Sequence, residues 1–430
     1  MAASRHPAPA PIFVLGGQVD VDVDIFAAHP GPEWTKIECA TKRAYGCGDL
    51  AKEALQGLTL YAHLGGGDDP LFSSSSLAIR MTDTARRGFE SELDLIHPRG
   101  DTRVACHHFI CCPRKIAGDR EGLTVVFLLF RRDPRAELAY YLAYDHAAAS
   151  LCLLPHVPDP VEAVSSVKPV AKRNGAGGDF ELFVMACELS SSSVPPRHFL
   201  CACTAETRAN AASDGTGAWQ MRNQSFQHEE VEESFSAHVV FPFKTMGIWA
   251  GLSRGLMYCD LDTTSDGDVG FGFIQLPYEC LLDTMQEEMA EKVAYQPMEV
   301  TRTMGCVDSS ITFVCIDPAR EYANDLWEKV REARVCELWR LDGFTEAGLP
   351  EGSLECPIIT ANGALCVVLC DQSKFPEPYE GVLLDNICVF DVGLERLQWH
   401  GFAHDNRFTI PVISDSPLPF TQFPAEEATQ

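Results

Sequence analysis

The residue that most directly suggests catalysis is Ser253, at the centre of a G-x-S-x-G string. Residues 251–255 read Gly-Leu-Ser-Arg-Gly. In α/β-hydrolases such a string places a nucleophilic serine on a sharp turn between a strand and a helix. Here residues 256–260 read Leu-Met-Tyr-Cys-Asp and residues 247–250 read Gly-Ile-Trp-Ala, and both patterns are typical of strands. We therefore expect a strand–turn–strand hairpin, in which the glycines serve the turn.

The remaining parts of a serine hydrolase are incomplete. Residues 63–67, His-Leu-Gly-Gly-Gly, resemble an oxyanion loop, but a leucine interrupts the pattern. His400 and His404 lie downstream in the order expected of a general base. Since the required strand-to-helix context is missing, we expect no catalytic residues and no enzymatic activity. No Walker A loop and no G-x-G-x-x-G string occurs, so we expect no cofactor.

One cluster of cysteine and histidine residues contains possible zinc ligands. A structural zinc site usually pairs its cysteines as C-x-x-C, and that spacing is absent from the cluster. Neighbouring residues of a strand also point to opposite faces, so consecutive ligands would diverge. We expect part-buried strand residues and no metal site. The cluster consists of Cys106, His107, His108, Cys111 and Cys112.

Two sets of aspartates raise the possibility of calcium. Asp260, Asp262 and Thr264 begin like a calcium-binding loop, but Ser265 and Phe271 stand where a glycine and a glutamate are required. The second set alternates with apolar residues and so shares one face of a strand; an exposed, solvated strand edge is the interpretation that we favour. This second set is Asp20, Asp22 and Asp24.

The chain carries a strong negative charge, which limits its partners. It has 61 acidic and 34 basic residues, a formal net charge of −27. Such a surface repels phosphate, so we expect neither nucleic acid nor an anionic membrane as a partner. The short basic pairs at 131–132 and 172–173 have no interleaved aromatic residues that would suggest nucleic-acid binding.

Cysteine usage and hydropathy predict an intracellular location. Several of the 18 cysteines lie inside apolar strand patterns, where a free thiol behaves as a small hydrophobic group. No secretory signal is visible, and the longest apolar run, 123–130, is far too short to span a bilayer as a helix. We therefore expect a reducing compartment, the cytoplasm or the nucleus. The cysteines in strand patterns are Cys259, Cys315, Cys366, Cys370 and Cys388.

A short unit that recurs four times sets the expected fold. Each copy is a small or polar turn, then alternating apolar residues, then an aspartate, as in a strand that crosses a core between two turns. Recurrence at this spacing predicts an all-β, β-propeller-like fold with several four-stranded antiparallel blades and one or two inserted short helices. We interpret the aspartates as markers of equivalent sheet edges. They are Asp260, Asp317, Asp371 and Asp391.

The pattern predicts a single domain over 12–422, between a disordered segment at 1–11 and a frayed acidic tail at 423–430. Helices are expected at 49–55, ended by Gly57, and at 318–333, with a weaker candidate at 281–293. Strands are expected at 12–23, 123–130, 138–144, 150–155, 180–187 and 198–203, besides those of the recurring unit.

The segment from Val239 to Pro277 resembles a plant family expanded in grasses, domain of unknown function 1618. The similarity rests on a tryptophan, a glycine-led strand that ends in Cys-Asp, and a strand that ends in Leu-Pro, here Trp249, residues 255–260 and residues 273–277. It extends over roughly 120–400. The resemblance implies a relation to the propeller-like domains that follow F-boxes and present loops to a partner protein. It implies no reaction and no catalytic residues.

These observations predict a non-enzymatic protein-interaction module that binds an unidentified protein partner through propeller loops. One alternative is a hydrolase-type enzyme on a β scaffold. Another is a substrate receptor for a ubiquitin ligase, although no F-box is visible in the first 60 residues. The candidate contact loops are 65–76, 174–178, 209–217 and 262–269.

Overall fold

A computed structural model gives the fold, and it describes most of the segments expected to be ordered. All structural statements below concern these described residues. They are 12–15, 34–65, 72–96, 105–112, 122–133, 136–157, 161–163, 168–173, 178–188, 198–214, 216–222, 235–262, 269–282, 298–307, 309–316, 338–341, 343–350, 352–360, 363–370, 386–391, 396–402 and 412–414.

Short strands dominate the described part of the chain, as the sequence predicts. The first fourteen are β1 (Ile12–Leu15), β2 (Trp34–Lys36), β3 (Thr41–Ala44), β4 (Leu58–Gly65), β5 (Phe72–Met81), β6 (Ala105–Cys112), β7 (Leu123–Asp133), β8 (Ala136–Asp145), β9 (Ser150–Pro155), β10 (Val161–Ala163), β11 (Val170–Arg173), β12 (Phe180–Glu188), β13 (His198–Cys203) and β14 (Gln220–Arg222). The others are β15 (Val239–Phe243), β16 (Met246–Gly251), β17 (Gly255–Asp260), β18 (Phe271–Gln275), β19 (Arg302–Val307), β20 (Ser310–Cys315), β21 (Ser353–Ile359), β22 (Leu365–Cys370), β23 (Asn386–Asp391), β24 (Arg396–Phe402) and β25 (Val412–Ser414).

Five sheets of four or five strands form the blades of a β-propeller, which confirms the predicted fold class. Pairing is mainly antiparallel, but β1 pairs with β5 and β3 with β9 in parallel. A two-stranded sheet, β19–β20, lies between blades 4 and 5 in chain order. The blades are blade 1 (β2-β4-β5-β1-β25), blade 2 (β3-β9-β8-β7-β6), blade 3 (β10-β12-β13-β14, with β11 also on β12), blade 4 (β15-β16-β17-β18) and blade 5 (β21-β22-β23-β24).

Alternating side chains pack the blades against one another in chain order. In β7, Val126 faces the core shared with blade 1, and its neighbour Val125 faces the core shared with blade 3. In β12, Leu182 faces blade 2, and Phe183 packs with Trp249 of blade 4. Because both faces of these sheets are buried, their strands read as nearly continuous apolar runs.

The first strands of consecutive sheets lie side by side, as the innermost strands of a propeller do. Such neighbours are β11 and β15, β15 and β19, and β19 and β21. The ring is completed in blade 1, where β25 pairs antiparallel with β1.

The described residues contain three α-helices, α1 (Asp49–Gln56), α2 (Asp83–Ile96) and α3 (Ala205–Asp214). Helices α1 and α2 bury Leu55, Phe89 and Leu93 in the core between blades 1 and 2. The prediction of α1 is confirmed, and Gly57 is its C-cap. One or two inserted helices were expected, and the described residues contain three, of which α2 and α3 were not predicted. The expected helix at 318–333 lies outside the described residues, as does the part of the weaker candidate from 283 onward.

Two of the segments that we expected to be loops belong to regular elements. Residues 73–76, four serines, lie within β5, whose backbone pairs with β4 on one side and β1 on the other. Residues 209–214 form the second half of α3. The serines are typical of loops, and pairing with two neighbouring strands overrides that composition. The helix at 209–214 agrees with its three alanines, which favour helices.

Candidate interaction face

One face of the propeller is marked by the ends of the third strands. β8, β13, β17 and β23 occupy equivalent positions in blades 2, 3, 4 and 5, and they end at Asp145, Cys203, Asp260 and Asp391. Their positions in the blades confirm the predicted equivalence of Asp260 and Asp391. We call the ends of β8, β13 and β17, with the residues that follow each of them, the aspartate face.

The strands that precede Asp371 and Asp391 in sequence, β22 and β23, end on opposite sides of blade 5, because they are antiparallel neighbours. β20, which precedes Asp317, is likewise a second strand. Asp317 and Asp371 themselves lie outside the described residues. A strand–aspartate unit therefore marks a strand end but does not distinguish the second strand from the third.

A buried ion pair connects blades 2 and 3 at the aspartate face. Arg173, the last residue of β11, donates from Nη2 to Asp145 Oδ1 (2.5 Å) and from Nη1 to Oδ2 (3.2 Å). The two side chains are only 4% and 7% exposed. The guanidinium also donates to the carbonyls of Gly178 and Gly122, and Asp145 Oδ1 accepts the Ala147 amide. The pair is thus extensively hydrogen-bonded, as a buried ion pair must be.

A second, more exposed ion pair connects blades 3 and 4 at the same face. Lys172 Nζ contacts the Asp262 carboxylate, and these side chains are 19% and 49% exposed. The Asp262 amide donates to Asp260 Oδ1 at 2.9 Å, the local turn that aspartate favours after a strand. Residues 172, 260 and 262 thus place charge on the accessible part of the face.

Helix α3 lies at this face, between β13 and β14. Its N-terminus is capped reciprocally: the Thr207 amide donates to Thr204 Oγ1 (3.2 Å), and the Thr204 amide donates to Thr207 Oγ1 (2.8 Å). Arg208 is buried, and its Nη1 donates to the Phe180 carbonyl (2.9 Å) while the guanidinium lies 4.2 Å from the centre of the Phe180 ring. The helix is therefore held firmly on the start of β12.

The opposite side of α3 is turned to solvent. Glu206, Asn210 and Ser213 are exposed and recur at helical spacing, with the small residues Ala209 and Ala212 between them. This surface therefore combines polar side chains with two exposed alanines. We call these five residues the α3 surface.

Ser253 lies in a β-hairpin, as predicted. β16 and β17 pair antiparallel, with Gly251 opposite Gly255, so the G-x-S-x-G string forms the turn between two strands. Ser253 is 2% exposed. A nucleophile must be reachable by its substrate, so this position does not support the role that the string suggests.

The turn around Ser253 is part of a hydrogen-bonded junction with the two-stranded sheet. The Leu252 amide donates to His238 Nδ1 (3.1 Å), and the Leu282 amide donates to the Ser253 carbonyl (3.0 Å). Arg302, the first residue of β19, donates to the carbonyls of Leu252 (3.0 Å) and Cys280 (2.7 Å). The turn therefore serves as a fixed support for β19.

Buried thiols pack between blades 2 and 3. Cys152, Cys201 and Cys203 belong to the core that the two blades share. Burial raises the pKa of Cys152 to about 11 and that of Cys201 to about 12. Because the thiolate is the nucleophile and the metal ligand, thiols held protonated in this way act as core residues.

The remaining candidates from the sequence fall as follows. Cys106, His107, His108, Cys111 and Cys112 all lie in β6. No group of three metal-ligating side chains occurs among the described residues. Asp20, Asp22, Asp24, Thr264 and His404 lie outside the described part of the chain, as do residues 66–71, 174–177 and 263–268 of the candidate loops.

Two further features bear on possible ligands. A small apolar cavity of about 10 Å³ between blades 1 and 2 has room for little more than one water molecule; its lining includes Ile37, Leu60, Val126 and Tyr144. Among the helices of the described residues, none has the length and apolar character needed to cross a bilayer.

Comparison with known families gives one match. Residues 249–367 match the family described as Protein of unknown function (DUF1618), which confirms the predicted resemblance for that segment. The segment runs from β16 through β17 to β21 and ends within β22, so it contains the whole two-stranded sheet. No curated protein and no solved structure matches the sequence.

Proposed function

We propose that this chain, which is similar to DUF1618 over residues 249–367, is a non-enzymatic protein-interaction module that binds its partner through the aspartate face. The observation that carries the proposal is the α3 surface, which is polar and exposed. The helix that bears it is anchored through Arg208 and capped by Thr204. Recognition residues commonly lie on connections that a rigid scaffold holds in place.

Preorganisation is the physical argument for this site. Ordering a mobile loop on binding costs conformational entropy, and a segment that is already anchored avoids most of that cost. α3 is fixed through Phe180, and the neighbouring strand ends are fixed through the pair of Arg173 with Asp145. A partner would therefore meet a surface whose shape is set before binding.

The chemistry of the face indicates the kind of partner. Glu206, Asp260 and Asp262 bring carboxylates to it, and the whole chain carries a net charge of −27. Charge complementarity speeds association and favours partners of opposite sign. We infer a protein partner with a basic contact surface, which would place lysine or arginine near α3.

The burial of Ser253 also supports a binding role, because it removes the strongest catalytic candidate in the sequence. The stability of the hairpin would explain the two glycines of the string without any reaction.

Proximity labelling in native cells, followed by quantitative capture, tests the proposal. The full chain is compared with Asn210→Lys, which places a bulky positive charge at the centre of the α3 surface. We expect at least tenfold less capture of the proteins labelled by the unchanged chain, since an opposed charge at an interface costs several kcal/mol.

Leu95→Lys is the matched control, because Leu95 is 75% exposed on α2 and lies outside the aspartate face. It should capture the same partners as the unchanged chain. Equal capture by Asn210→Lys and Leu95→Lys would exclude the aspartate face. A serine-reactive probe tests the non-enzymatic assignment. If the probe labels the purified chain but not the Ser253→Ala variant, that assignment is wrong.

A further inference from the structure

We propose that Lys244 is a specificity-determining contact of the aspartate face, where its ammonium group pairs with a carboxylate of the protein partner. The inference rests on the proposed function above and deepens it, because it adds an acidic group to the basic partner surface inferred there. Lys244 lies on blade 4, in the turn between β15 and β16. This turn was not among the contact loops predicted from the sequence.

The strand register places this turn at the aspartate face. Met246, the first residue of β16, lies opposite Asp260, the last residue of β17. The Leu261 amide also donates to the Thr245 carbonyl (2.9 Å), which connects the residue after β17 to the turn. The structure describes residues 235–262 without a gap, so the turn, both strands that it joins and the neighbouring strand end are all defined.

The backbone of Lys244 is in a conformation that favours glycine. Phe243 lies opposite Met246, so Lys244 and Thr245 are the two residues of a tight hairpin turn. Lys244 has a φ of +56°, in the left-handed region. Two-residue turns need a positive φ at the first turn residue, and glycine, asparagine or aspartate supplies it at the lowest cost. A lysine here costs stability, and residues held in such conformations cluster at binding sites.

The side chain of Lys244 also differs from those of the other lysines that the structure describes. Each of the others donates to a carboxylate or a carbonyl oxygen, whereas Lys244 Nζ lies 4.9 Å from the centre of the Phe243 ring. Lys244 is exposed and Phe243 is half-buried, so the ring holds the ammonium group at the surface. Within the described residues, no carboxylate pairs with this ammonium group. The other lysines are Lys36, Lys42, Lys52, Lys168 and Lys172.

The positive charge of Lys244 would select among the partners that the acidic face attracts. A chain with a net charge of −27 attracts basic proteins in general, and Lys244 opposes that attraction locally. A partner that places an aspartate or glutamate over Lys244 turns this repulsion into attraction. The Phe243 ring fixes the position of the ammonium group before binding, which lowers the entropy cost of the contact. The arrangement of acidic and basic groups on the partner would thus determine which proteins bind.

A zero-length carbodiimide crosslinker tests the contact, because it joins a lysine to a carboxylate only where the two groups touch. The proteins captured in the proximity-labelling experiment above are mixed with the purified full chain and treated with the carbodiimide. Mass spectrometry of the digested product should show Lys244 joined to an aspartate or glutamate of a captured protein. Lys52 provides the internal control, since its Nζ lies 3.1 Å from Asp49 Oδ1 and should be joined to that residue.

Lys244→Gly separates binding from stability. Glycine removes the charge and suits the left-handed backbone, so the unfolding temperature should stay the same or rise. Capture should nevertheless fall about five- to tenfold, since the partner's carboxylate loses its counter-charge. Lys244→Arg keeps the positive charge over the Phe243 ring and should retain capture. Lys52→Ala removes an equal charge from α1, outside the aspartate face, and should also retain capture.

The proposal is wrong if Lys244→Gly captures as much protein as the unchanged chain. It is also wrong if the carbodiimide joins Lys52 to Asp49 but does not join Lys244 to a captured protein. A crosslink from Lys244 to a peptide of this chain would overturn it as well, since the carboxylate would then belong to this chain or to a second copy. Loss of capture in Asn210→Lys without a crosslink at Lys244 would leave the interaction function standing and reject only this contact.

Discussion

Lys172 and Arg173 are consecutive residues of β11, yet their side chains reach opposite neighbours. Arg173 binds Asp145 of blade 2, and Lys172 contacts Asp262 of blade 4. The alternation of a strand explains the divergence, since successive side chains leave opposite faces. Blade 3 is thereby joined to both neighbours by two ion pairs that differ chiefly in their exposure to water.

That difference decides what each pair contributes. At 4% and 7% exposure, Arg173 and Asp145 have lost their hydration, and removing either partner would leave a buried charge uncompensated. Asp262 is 49% exposed, so water already stabilises its charge and salt screens its pair with Lys172. Both ion pairs join a basic residue of β11 to an aspartate at the same face. The buried pair stabilises the contact between blades 2 and 3, whereas the exposed pair contributes little and depends on salt.

The largest expected effect follows from breaking the buried pair. Arg173→Met should lower the free energy of unfolding by about 3–5 kcal/mol, because Asp145 would remain buried without its cation. Urea denaturation followed by tryptophan fluorescence measures the loss.

Replacing both partners separates the charge from the packing. The double variant Asp145→Leu/Arg173→Met should recover most of the stability lost in Arg173→Met, since no unpaired charge remains. If the single variant loses under about 1 kcal/mol, the contrast drawn between the two pairs is wrong.

An intermediate effect should appear at alkaline pH, in the same interface between blades 2 and 3. Burial raises the pKa of Cys152 from 9.0 to about 11 in the folded state. Stability from this thiol is therefore complete below pH 9 and is lost as the pH rises toward 11. We expect unfolding to become easier by about 1 kcal/mol between pH 8 and pH 10 on account of Cys152.

The variant Cys152→Ala isolates that contribution. It should be less stable at pH 8, because a buried side chain is shortened, but its stability should fall less between pH 8 and pH 10. Urea denaturation at the two pH values gives both quantities. An unchanged fall in Cys152→Ala would show that other groups govern the alkaline response.

The smallest effect concerns the exposed pair. Lys172→Ala should change the free energy of unfolding by at most about 1 kcal/mol. The change should be smaller in about 0.5 M NaCl, because salt screens the pair. Thermal unfolding at low and high salt measures it. A loss of stability as large as that of Arg173→Met would show that the exposed pair contributes as much as the buried one, and the contrast between them would be wrong.

Particular elements show what the sequence could and could not predict of the fold. The ends of β9, β13, β17 and β23 were predicted correctly, because apolar runs between turn residues coincide with strands buried on both faces. The serines of β5 misled, because their strand character comes from backbone pairing with β4 and with β1, and β1 lies far away in sequence.

The candidate face was predicted less completely. α3 was missed because the Ser-Asp-Gly-Thr-Gly string at 213–217 is typical of a loop, although the alanines at 209, 211 and 212 favour a helix and Thr204 and Thr207 at cap spacing were a further usable signal. The partners of Arg173 and Arg208 were out of reach, since Asp145 and Phe180 are each 28 residues away and only the packed blades bring them together.

The pairing of β1 with β25 has a consequence for the order in which the protein assembles during synthesis. Leu15 and Val412 meet across almost 400 residues, so blade 1 lacks β25 until residues 412–414 leave the ribosome. Blades 3 and 4 consist of strands contiguous in sequence and are free to form much earlier. Until β25 pairs with β1, the ring of blades is incomplete and can associate with other nascent chains. The negative charge of the chain, −27 over its full sequence, opposes such aggregation during this period.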